Sequence, residues 1–256
     1  MAASVRLLDV RVDAYDPEEA LAELMARART RLATRVMFVN AHCLNVASGD
    51  PAYREALRNA DLVLADGSGL LLVSRLLGLP VRHNLNGTDL VPRLLEAAAA
   101  EGLSVYFIGG QPGVAARAAE VAGRRWPGIV IAGSSHGYQT VGAEFAVLDE
   151  IARLRPHILL VAMGVPRQEL WMDRRSAVLP PSLTLGVGAL FDFMAGRFPR
   201  APRWMRRLGI EWMYRLYLEP GRLWRRYLIG NVAFLGRALA DARSARGAHD
   251  PRPGRL

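Results

Sequence analysis

Two segments in the second half of the chain combine glycine with polar residues of the types that bind hydroxyl and amide groups. The segment 164–171 follows the mostly apolar run 157–163 and contains Gln168 and Glu169 behind a glycine and a proline. An apolar strand, a glycine and a proline at the first helical turn together predict a strand–turn–helix junction. Ligands bind at such junctions in α/β sheets because strand ends and helix N-termini converge there. The segment 186–196 predicts a second junction of the same kind.

Short apolar runs alternate with helical patterns along most of the chain. They predict strands over 36–39, 62–65, 104–108, 129–132, 158–162 and 183–187. This alternation predicts an α/β fold with a doubly wound, mainly parallel, Rossmann-like sheet. The carboxyl ends of the predicted strands carry polar or glycine residues, namely Asn40, Asp66, Gly109 and Gly110, Gly133, Gly164 and Gly186. Because such ends meet at one edge of a parallel sheet, we expect these residues to line one crevice.

The segment 109–113 contains three glycines directly after a predicted strand. It could hold a phosphate at the N-terminus of the next helix, or it could form only a tight turn. A nucleotide-dependent oxidoreductase would also fit an α/β fold. The dinucleotide fingerprint is poor, however, because the strand 129–132 ends in Gly133 and Ser134 with no acidic residue for a ribose.

The positive charge of the protein is concentrated at its C-terminal end. Residues 197–256 contain 14 Arg and four acidic residues, a net charge of +10, whereas the whole chain carries +9. Two prolines mark the boundary of this region, and helices are predicted after them over 204–217 and 223–243. We therefore predict two parts, an α/β catalytic domain over 1–196 and a basic helical appendage over 197–256.

An arginine cluster confined to one region predicts a local anionic partner. A guanidinium fork binds diphosphate oxygens in a bidentate way. The mostly apolar stripe beside it also suits an anionic bilayer surface, and it consists of Trp224, Leu228, Asn231 and Leu235. Two alternatives stay open. The region could be a solvated basic helix packed on the core, or the chain could bind nucleic acid, which would leave the polar strand ends unexplained.

Composition narrows the class of protein further. Cys43 is the only cysteine, so the chain cannot form an internal disulfide, and a reducing cytosol is predicted. The N-terminus lacks the apolar core of a signal peptide, and no apolar run approaches the roughly 20 residues that span a bilayer. The sequence contains no Asp-x-Asp motif, so we expect metal-independent chemistry and no cofactor.

The order and spacing of these segments, together with 65–67 (Ala-Asp-Gly) and 87–90 (Gly-Thr-Asp-Leu), resemble the WecG/TagA/CpsF glycosyltransferases, glycosyltransferase family 26. The resemblance extends over residues 35–232. It implies that Asp66 is the catalytic base, because the proposed base of the family matches this Asp-Gly pair. A strand-end carboxylate suits this role, since sugar transfer to a hydroxyl needs a base. Alternatively, Asp66 caps the helix predicted to begin near Ser68.

The resemblance also implies which residues bind substrate. The uridine part of the donor would contact Tyr138, Gln168 and Asp192. In the family the appendage is thought to lie over the catalytic pocket and to help bind a lipid diphosphate, and its proposed functional arginines match Arg215, Arg222 and Arg225. The complete set of implied substrate-binding residues is Asn40, Asn84, Gly110, Tyr138, Gly164, Gln168, Asp192, Arg215, Arg222 and Arg225.

The chain departs from the family pattern at two positions. Phe38 stands where the family often has threonine, and Asn84 stands where many members have arginine. The second departure puts an arginine contact to the donor phosphate in doubt and suggests a different subgroup. The sequence of residues 84–89, Asn-Leu-Asn-Gly-Thr-Asp, looks most like that of the xanthan-type glucosyltransferase branch.

The activity implied by the resemblance is an inverting transfer that gives a β-linkage. The donor would be a UDP-sugar carrying a hexose-type sugar, and the acceptor a polyprenyl-diphosphate-linked saccharide of cell-surface or exopolysaccharide biosynthesis. We expect a cytoplasmic protein, peripheral on the inner face of the cytoplasmic membrane and without a nucleic-acid partner. The sequence leaves open whether the protein forms a homo-oligomer. Tighter binding to bare DNA than to anionic liposomes would favour the nucleic-acid class, and nicotinamide binding would favour the oxidoreductase.

Overall fold

The computed structural model describes residues 3–247, except for the side chains of Arg207, Arg222 and residues 244–247. The prediction that Arg222 binds substrate therefore concerns a side chain outside the described residues. Within the described range the chain forms one eight-stranded sheet with helices on both of its faces.

The sheet confirms the predicted α/β class. Its strands are β1 (Ala3–Leu7), β2 (Val10–Ala14), β3 (Thr34–Val39), β4 (Leu62–Ala65), β5 (Ser104–Gly109), β6 (Val130–Ser135), β7 (Ile158–Ala162) and β8 (Leu183–Gly186). They lie in the order β1-β2-β4-β3-β8-β7-β5-β6. All neighbours pair in parallel except β1 and β2, which form an antiparallel hairpin.

Helices connect the strands and extend the chain beyond the sheet. Those of the first part are α1 (Pro17–Thr30), α2 (Ala41–Gly49), α3 (Pro51–Arg58), α4 (Ser68–Leu77), α5 (Gly87–Ala100), α6 (Val114–Arg125), α7 (Val141–Leu154), α8 (Arg167–Arg175) and α9 (Leu190–Met194). The C-terminal region contains α10 (Arg203–Arg207), α11 (Glu211–Leu218), α12 (Pro220–Trp224), a π-helical turn (Arg225–Ile229) and α13 (Gly230–Gly247). None of the helices in the described part of the chain is long and apolar enough to cross a membrane.

The strands are buried on both faces, as expected for a doubly wound sheet. Alternate residues of each strand enter two apolar clusters on opposite faces. In β3, for example, Val36 and Phe38 pack against α1 and α5, whereas Met37 and Val39 pack against α2 and α3. Loops that follow the carboxyl ends of the parallel strands are thereby brought to one edge, which is where the candidate site lies.

The N-terminal hairpin was not predicted from the sequence. The two residues between β1 and β2 are Leu8 and Asp9, with φ values of 49° and 66°. A tight hairpin turn needs positive φ at these positions, and glycine or asparagine usually supplies it. Because neither residue type is present, the sequence carries no turn signal there.

Three of the boundaries predicted from the sequence differ from those in the structure. Gly133 lies inside β6 and not after it. The helix predicted over 204–217 is interrupted between α10 and α11, where Gly209 has a φ of 70°. The helix predicted over 223–243 begins earlier and contains the π-helical turn.

The C-terminal helix α13 packs on the core. Phe234 is 1% exposed and Ala238 fully buried, and both belong to the apolar cluster that also contains Leu44 of α2. Upstream, Arg200 donates to Asp89 Oδ1 at 2.8 Å and so ties the start of the region to α5. The division at residue 196 stays a prediction, since the C-terminal helix covers surface of the α/β part.

Replacing the buried aromatic ring of α13 should measure how much this packing stabilises the protein. We expect Phe234→Ala to lower the free energy of unfolding by about 3–5 kcal/mol, because it leaves a cavity in a closed cluster. Val232→Ala on the same helix is the matched control, since Val232 is 72% exposed. Urea unfolding followed by circular dichroism is the measurement. Equal midpoints for the two variants would show that α13 does not pack on the core.

Candidate functional site

A cavity of about 880 Å³ lies at the carboxyl ends of the parallel strands, between the sheet and the C-terminal helices. It brings together nine of the eleven residues predicted for the site, namely Asn40, Asp66, Asn84, Gly110, Tyr138, Gly164, Gln168, Asp192 and Arg215. The expectation of one crevice at this sheet edge therefore agrees with the structure. Arg225 is not brought to the cavity. It is exposed, and its guanidinium lies 5.3 Å from the centroid of the Trp224 ring.

Asp66 directly follows β4, and backbone and side-chain contacts fix its position. Its N–H donates to the carbonyl of Val39 at 2.8 Å and so continues the pairing of β3 with β4. Its Oδ2 accepts from Nδ2 of Asn40 at 3.3 Å. Gly67 occupies the N-terminal cap of α4, and no side chain caps this helix. The alternative role of Asp66 as a helix cap is therefore wrong.

Asn40 and Asn84 hold the turn around Asp66. Asn40 uses its Oδ1 to cap α2, accepting from the N–H groups of His42 and Cys43, which leaves its Nδ2 to donate to Asp66. Asn84 accepts from the N–H of Gly67 at 2.7 Å. Asn40 therefore contacts the carboxylate directly, whereas Asn84 fixes the backbone that follows it.

The environment of Asp66 shifts its pKa in two opposing ways. Burial raises the pKa of Asp66 above its ordinary value, while the Asn40 hydrogen bond and the positive charges of Arg226 and Arg215 lower it. Glu211 adds a smaller raising effect. A carboxylate with a raised pKa is a stronger base, and the arginines favour its ionised form. This combination suits a group that must accept a proton from a hydroxyl.

Arg226 lines the cavity but is not among the predicted site residues, and the same holds for Arg197 and Arg206. Arg226 lies on the π-helical turn, and its Nε is buried with no hydrogen-bond partner. The family resemblance favours its neighbour Arg225 instead. The sequence does place Arg226 in the arginine cluster, four residues after Arg222 on one helix face, but this spacing alone does not assign it to the site.

Gln168 joins the two glycine-containing junctions. Its side chain is 2% exposed, and its Oε1 accepts from the N–H of Gly164 at 3.2 Å and from the N–H of Gly188 at 3.0 Å. Its Nε2 donates to Oε1 of Glu169 at 2.9 Å. The amide therefore fixes the backbone of the cavity wall, and Gln168 also lines the cavity.

Glu169 lies beneath the cavity and does not line it. It is fully buried, and its Oε2 has no hydrogen-bond partner. Burial raises the pKa of Glu169 to about 7, while the hydrogen bond from Gln168 acts in the opposite direction. By its residue type and position Glu169 could bind hydroxyls or amides, but in the structure it accepts from Gln168 beneath the cavity.

The wall formed by β5, β6 and β8 has an open aromatic surface. Tyr138 is 55% exposed, and the guanidinium of Arg167 lies 4.7 Å from its ring centroid. The N–H of Gly137 donates to the carbonyl of Gly110 at 2.9 Å, which fixes the loop of Tyr138 beside the end of β5. At the lining of the same cavity, Asp192 accepts from Arg197 at 3.0 Å.

His42 lines the cavity near Arg226. Burial and the positive charge of Arg226 lower the pKa of His42 to about 4. The ring is therefore neutral at pH 7, so this wall adds no positive charge. The cationic groups at the cavity come instead from the C-terminal region, as Arg197, Arg206, Arg215 and Arg226. The guanidinium groups can bind an anionic substrate, and the strand-end carboxylate can accept a proton from it.

Comparison with known proteins agrees with this arrangement. The sequence model of the glycosyl transferase WecG/TagA/CpsF family matches residues 5–248. The chain is similar to an N-acetylglucosaminyldiphosphoundecaprenol N-acetyl-beta-D-mannosaminyltransferase of Bacillus spizizenii, with 39% identity over 182 residues, which are 71% of this chain and 70% of the relative. A protein of Bacillus subtilis with the same name is 34% identical over 190 residues, covering 74% of this chain and 73% of the relative. The family match extends over nearly the whole chain and includes both the sheet edge and the C-terminal helices, so the chain belongs to the WecG/TagA/CpsF family of glycosyl transferases.

Proposed function

We propose that this protein is an inverting glycosyltransferase that moves a hexose-type sugar from a UDP-sugar to the terminal hydroxyl of a polyprenyl-diphosphate-linked saccharide. The observation that carries the proposal is Asp66, a strand-end carboxylate faced by Arg215 and Arg226 in one cavity. The names of both relatives specify an acceptor sugar linked through diphosphate to undecaprenol and a β-linked product.

The reaction would be a single displacement. Asp66 accepts the proton of the acceptor hydroxyl while the hydroxyl oxygen forms a bond to the anomeric carbon of the donor sugar. The bond from that carbon to the UDP oxygen breaks at the same time, and UDP leaves with the electron pair. Guanidinium groups stabilise the negative charge that develops on the leaving diphosphate. Attack from the face opposite to UDP inverts the anomeric carbon.

The donor would lie along the wall that contains Tyr138, Gly110 and Asp192. An exposed aromatic ring next to a glycine-containing strand end offers a stacking surface for a base and room for a phosphate. The Gln168 amide supports this wall because it holds the backbone on both sides. Nucleotide binding here is expected to depend on the wall as a whole.

The acceptor would enter from the C-terminal helices. Arg215 lines the cavity, and we propose that Arg222 and Arg225 extend the cationic surface toward the lipid diphosphate. Large apolar side chains are exposed on the same helices, including Trp204, Tyr217, Trp224 and Leu228. Exposed apolar and cationic groups on one surface suit the interface of an anionic membrane. The protein would thus act as a peripheral protein on the inner face of the cytoplasmic membrane, in the biosynthesis of a cell-surface polysaccharide.

The role of Asp66 as base is tested by Asp66→Asn. We expect a loss of about 10²–10⁴-fold in transfer rate, because the amide cannot accept the proton. Release of UDP is measured from UDP-N-acetylmannosamine and from UDP-glucose, with undecaprenyl-diphosphate-linked N-acetylglucosamine as acceptor.

Two controls accompany this measurement. Asp149→Asn changes an exposed carboxylate on α7 and should keep the full rate. The thermal midpoint of Asp66→Asn should be unchanged or higher, because burial raises the pKa of Asp66 and a neutral amide avoids the cost of burying the charge. Turnover near that of the unmodified protein would remove Asp66 from the mechanism.

The donor wall is tested by UDP binding in calorimetry. We expect Asp192→Ala and Gln168→Ala each to weaken UDP binding about tenfold or more, the first by removing a polar group of the cavity and the second by releasing Gly164 and Gly188. Asp149→Ala is the control. Unchanged affinity in both cavity variants would mean that the nucleotide binds elsewhere.

The proposed membrane surface is tested by co-sedimentation with vesicles that contain anionic lipid. Tyr217→Ser combined with Leu228→Ser should reduce the bound fraction, since these side chains are 81% and 53% exposed in the C-terminal region. Val141→Ser combined with Phe145→Ser is the matched control on α7, where exposure is 73% and 57%. Added salt should weaken binding further. Equal binding of both double variants would contradict the assignment of this surface.

A further inference from the structure

One asparagine of α2 forms two hydrogen bonds with α13, the first at the residue where α13 begins. Asn45 on α2 donates from Nδ2 to the carbonyl of Gly230 at 2.7 Å. Its Oδ1 accepts from Nη1 of Arg237 at 2.8 Å. The two partners lie on the same helix, 185 and 192 residues away from Asn45 in sequence. We refer to these two hydrogen bonds as the Asn45 clasp.

The Asn45 clasp is attached to the end of the π-helical turn. The N–H of Gly230 donates to the carbonyl of Arg225, five residues earlier, which defines the wide turn. Asn231, the next residue, lies against the start of α4, since a Cβ built on Gly69 would be 3.7 Å from its Oδ1. The π-helical turn is therefore held between α2 and α4, beside the strand end that carries Asp66. Such turns often occur at functional sites.

Arg226 is the cation that this turn directs into the cavity. The guanidinium lowers the pKa of Asp66 and of His42, so its charge acts at the cavity wall on which both residues lie. Among the described residues, Arg215 and Glu211 of α11 also act on the pKa of Asp66. His42, from α2, is neutral at pH 7, and Asn40 supplies a hydrogen bond without charge.

We propose that Asn45 is a positioning residue, which holds the π-helical turn so that Arg226 faces Asp66 and keeps it as the carboxylate that accepts the proton. This inference rests on the proposed role of Asp66 as base. Burial alone would favour the protonated acid, which cannot act as a base. A nearby cation offsets that effect only while its position is fixed, and the Asn45 clasp supplies the fixed point.

The clasp has a function separate from the docking of the helix. Phe234 and Ala238 bury α13 against the core, and the N–H of Leu8 donates to Asp241 near its far end. These contacts lie beyond the π-helical turn and remain when Asn45 is changed. Loss of the clasp should therefore release the turn and Arg226 while α13 stays in place.

The test is the pH dependence of kcat for sugar transfer, measured by UDP release with the two donors and the acceptor named above. We expect Asn45→Ala and Arg226→Gln to move the acid limb of the profile to higher pH. Removing the cation raises the pKa of Asp66, so less carboxylate is present at acidic pH. We expect the loss of rate relative to the unmodified protein to be about tenfold greater at the acid end of the profile than at the alkaline end.

Three further variants separate positioning from a general structural effect. Arg226→Lys keeps a cation on the turn and should restore most of the acid limb. Ser48→Ala on α2 and Arg243→Gln on α13 are controls at exposed positions and should leave the profile unchanged. The thermal midpoint of each variant shows whether it folds. If Asn45→Ala does not fold, Arg226→Gln still tests the effect of the cation on the acid limb.

The outcomes distinguish this inference from the proposed function. If Asp66→Asn retains its rate, the assignment of the base fails and the inference fails with it. If Asp66→Asn is inactive but Arg226→Gln has an unshifted acid limb, the base stands and the inference is overturned. A rate loss in Asn45→Ala that is equal at every pH would also overturn it, because a merely structural role would lower the rate without moving the limb.

Discussion

The geometry of the cavity depends on one buried amide. The Gln168 side chain accepts from the backbone of Gly164 and of Gly188, so it joins the loops that follow β7 and β8. Space for this amide exists because β8 ends in glycine, since a Cβ on Gly186 would lie 3.0 Å from Nε2 of Gln168. Glu169 fixes the orientation of the amide by accepting from that nitrogen. An amide with its polar atoms held by backbone and carboxylate is rigid, and a rigid wall can position a donor.

The C-terminal helices impose a second constraint, which concerns charge. Asp66 lies in the cavity between the sheet and these helices, and its burial there raises its pKa. The same helices bring Arg215 and Arg226, which lower it. A carboxylate that is desolvated and still ionised is a stronger base than one exposed to water. This state requires both burial of the carboxylate and nearby positive charges. We therefore propose that the Arg-rich region contributes to catalysis through Arg215 and Arg226, in addition to any contact it makes with lipid.

Much of the fold and the site could be predicted from the sequence, because short buried strands followed by Asn40, Asp66 or glycine are local patterns. The features that were missed depend on distant or irregular geometry. The π-helical turn that selects Arg226 over Arg225 has no residue signature, and the contact of Asn45 with Gly230 joins residues 185 positions apart. The Leu8–Asp9 turn escaped prediction because it lacks the residues that usually adopt positive φ.

Asn84 contributes to the turn beside Asp66 through a neutral amide. An arginine there would place a charge beside Asp66, whereas Asn84 accepts from the N–H of Gly67 and fixes the turn. Among the described residues, Arg215 and Arg226 of the C-terminal region are the cations found to lower the pKa of Asp66. With no cation supplied from position 84, the ionisation of the base depends more strongly on the docked helices. We therefore expect the docking of the C-terminal region and the ionisation of Asp66 to be closely coupled in this chain.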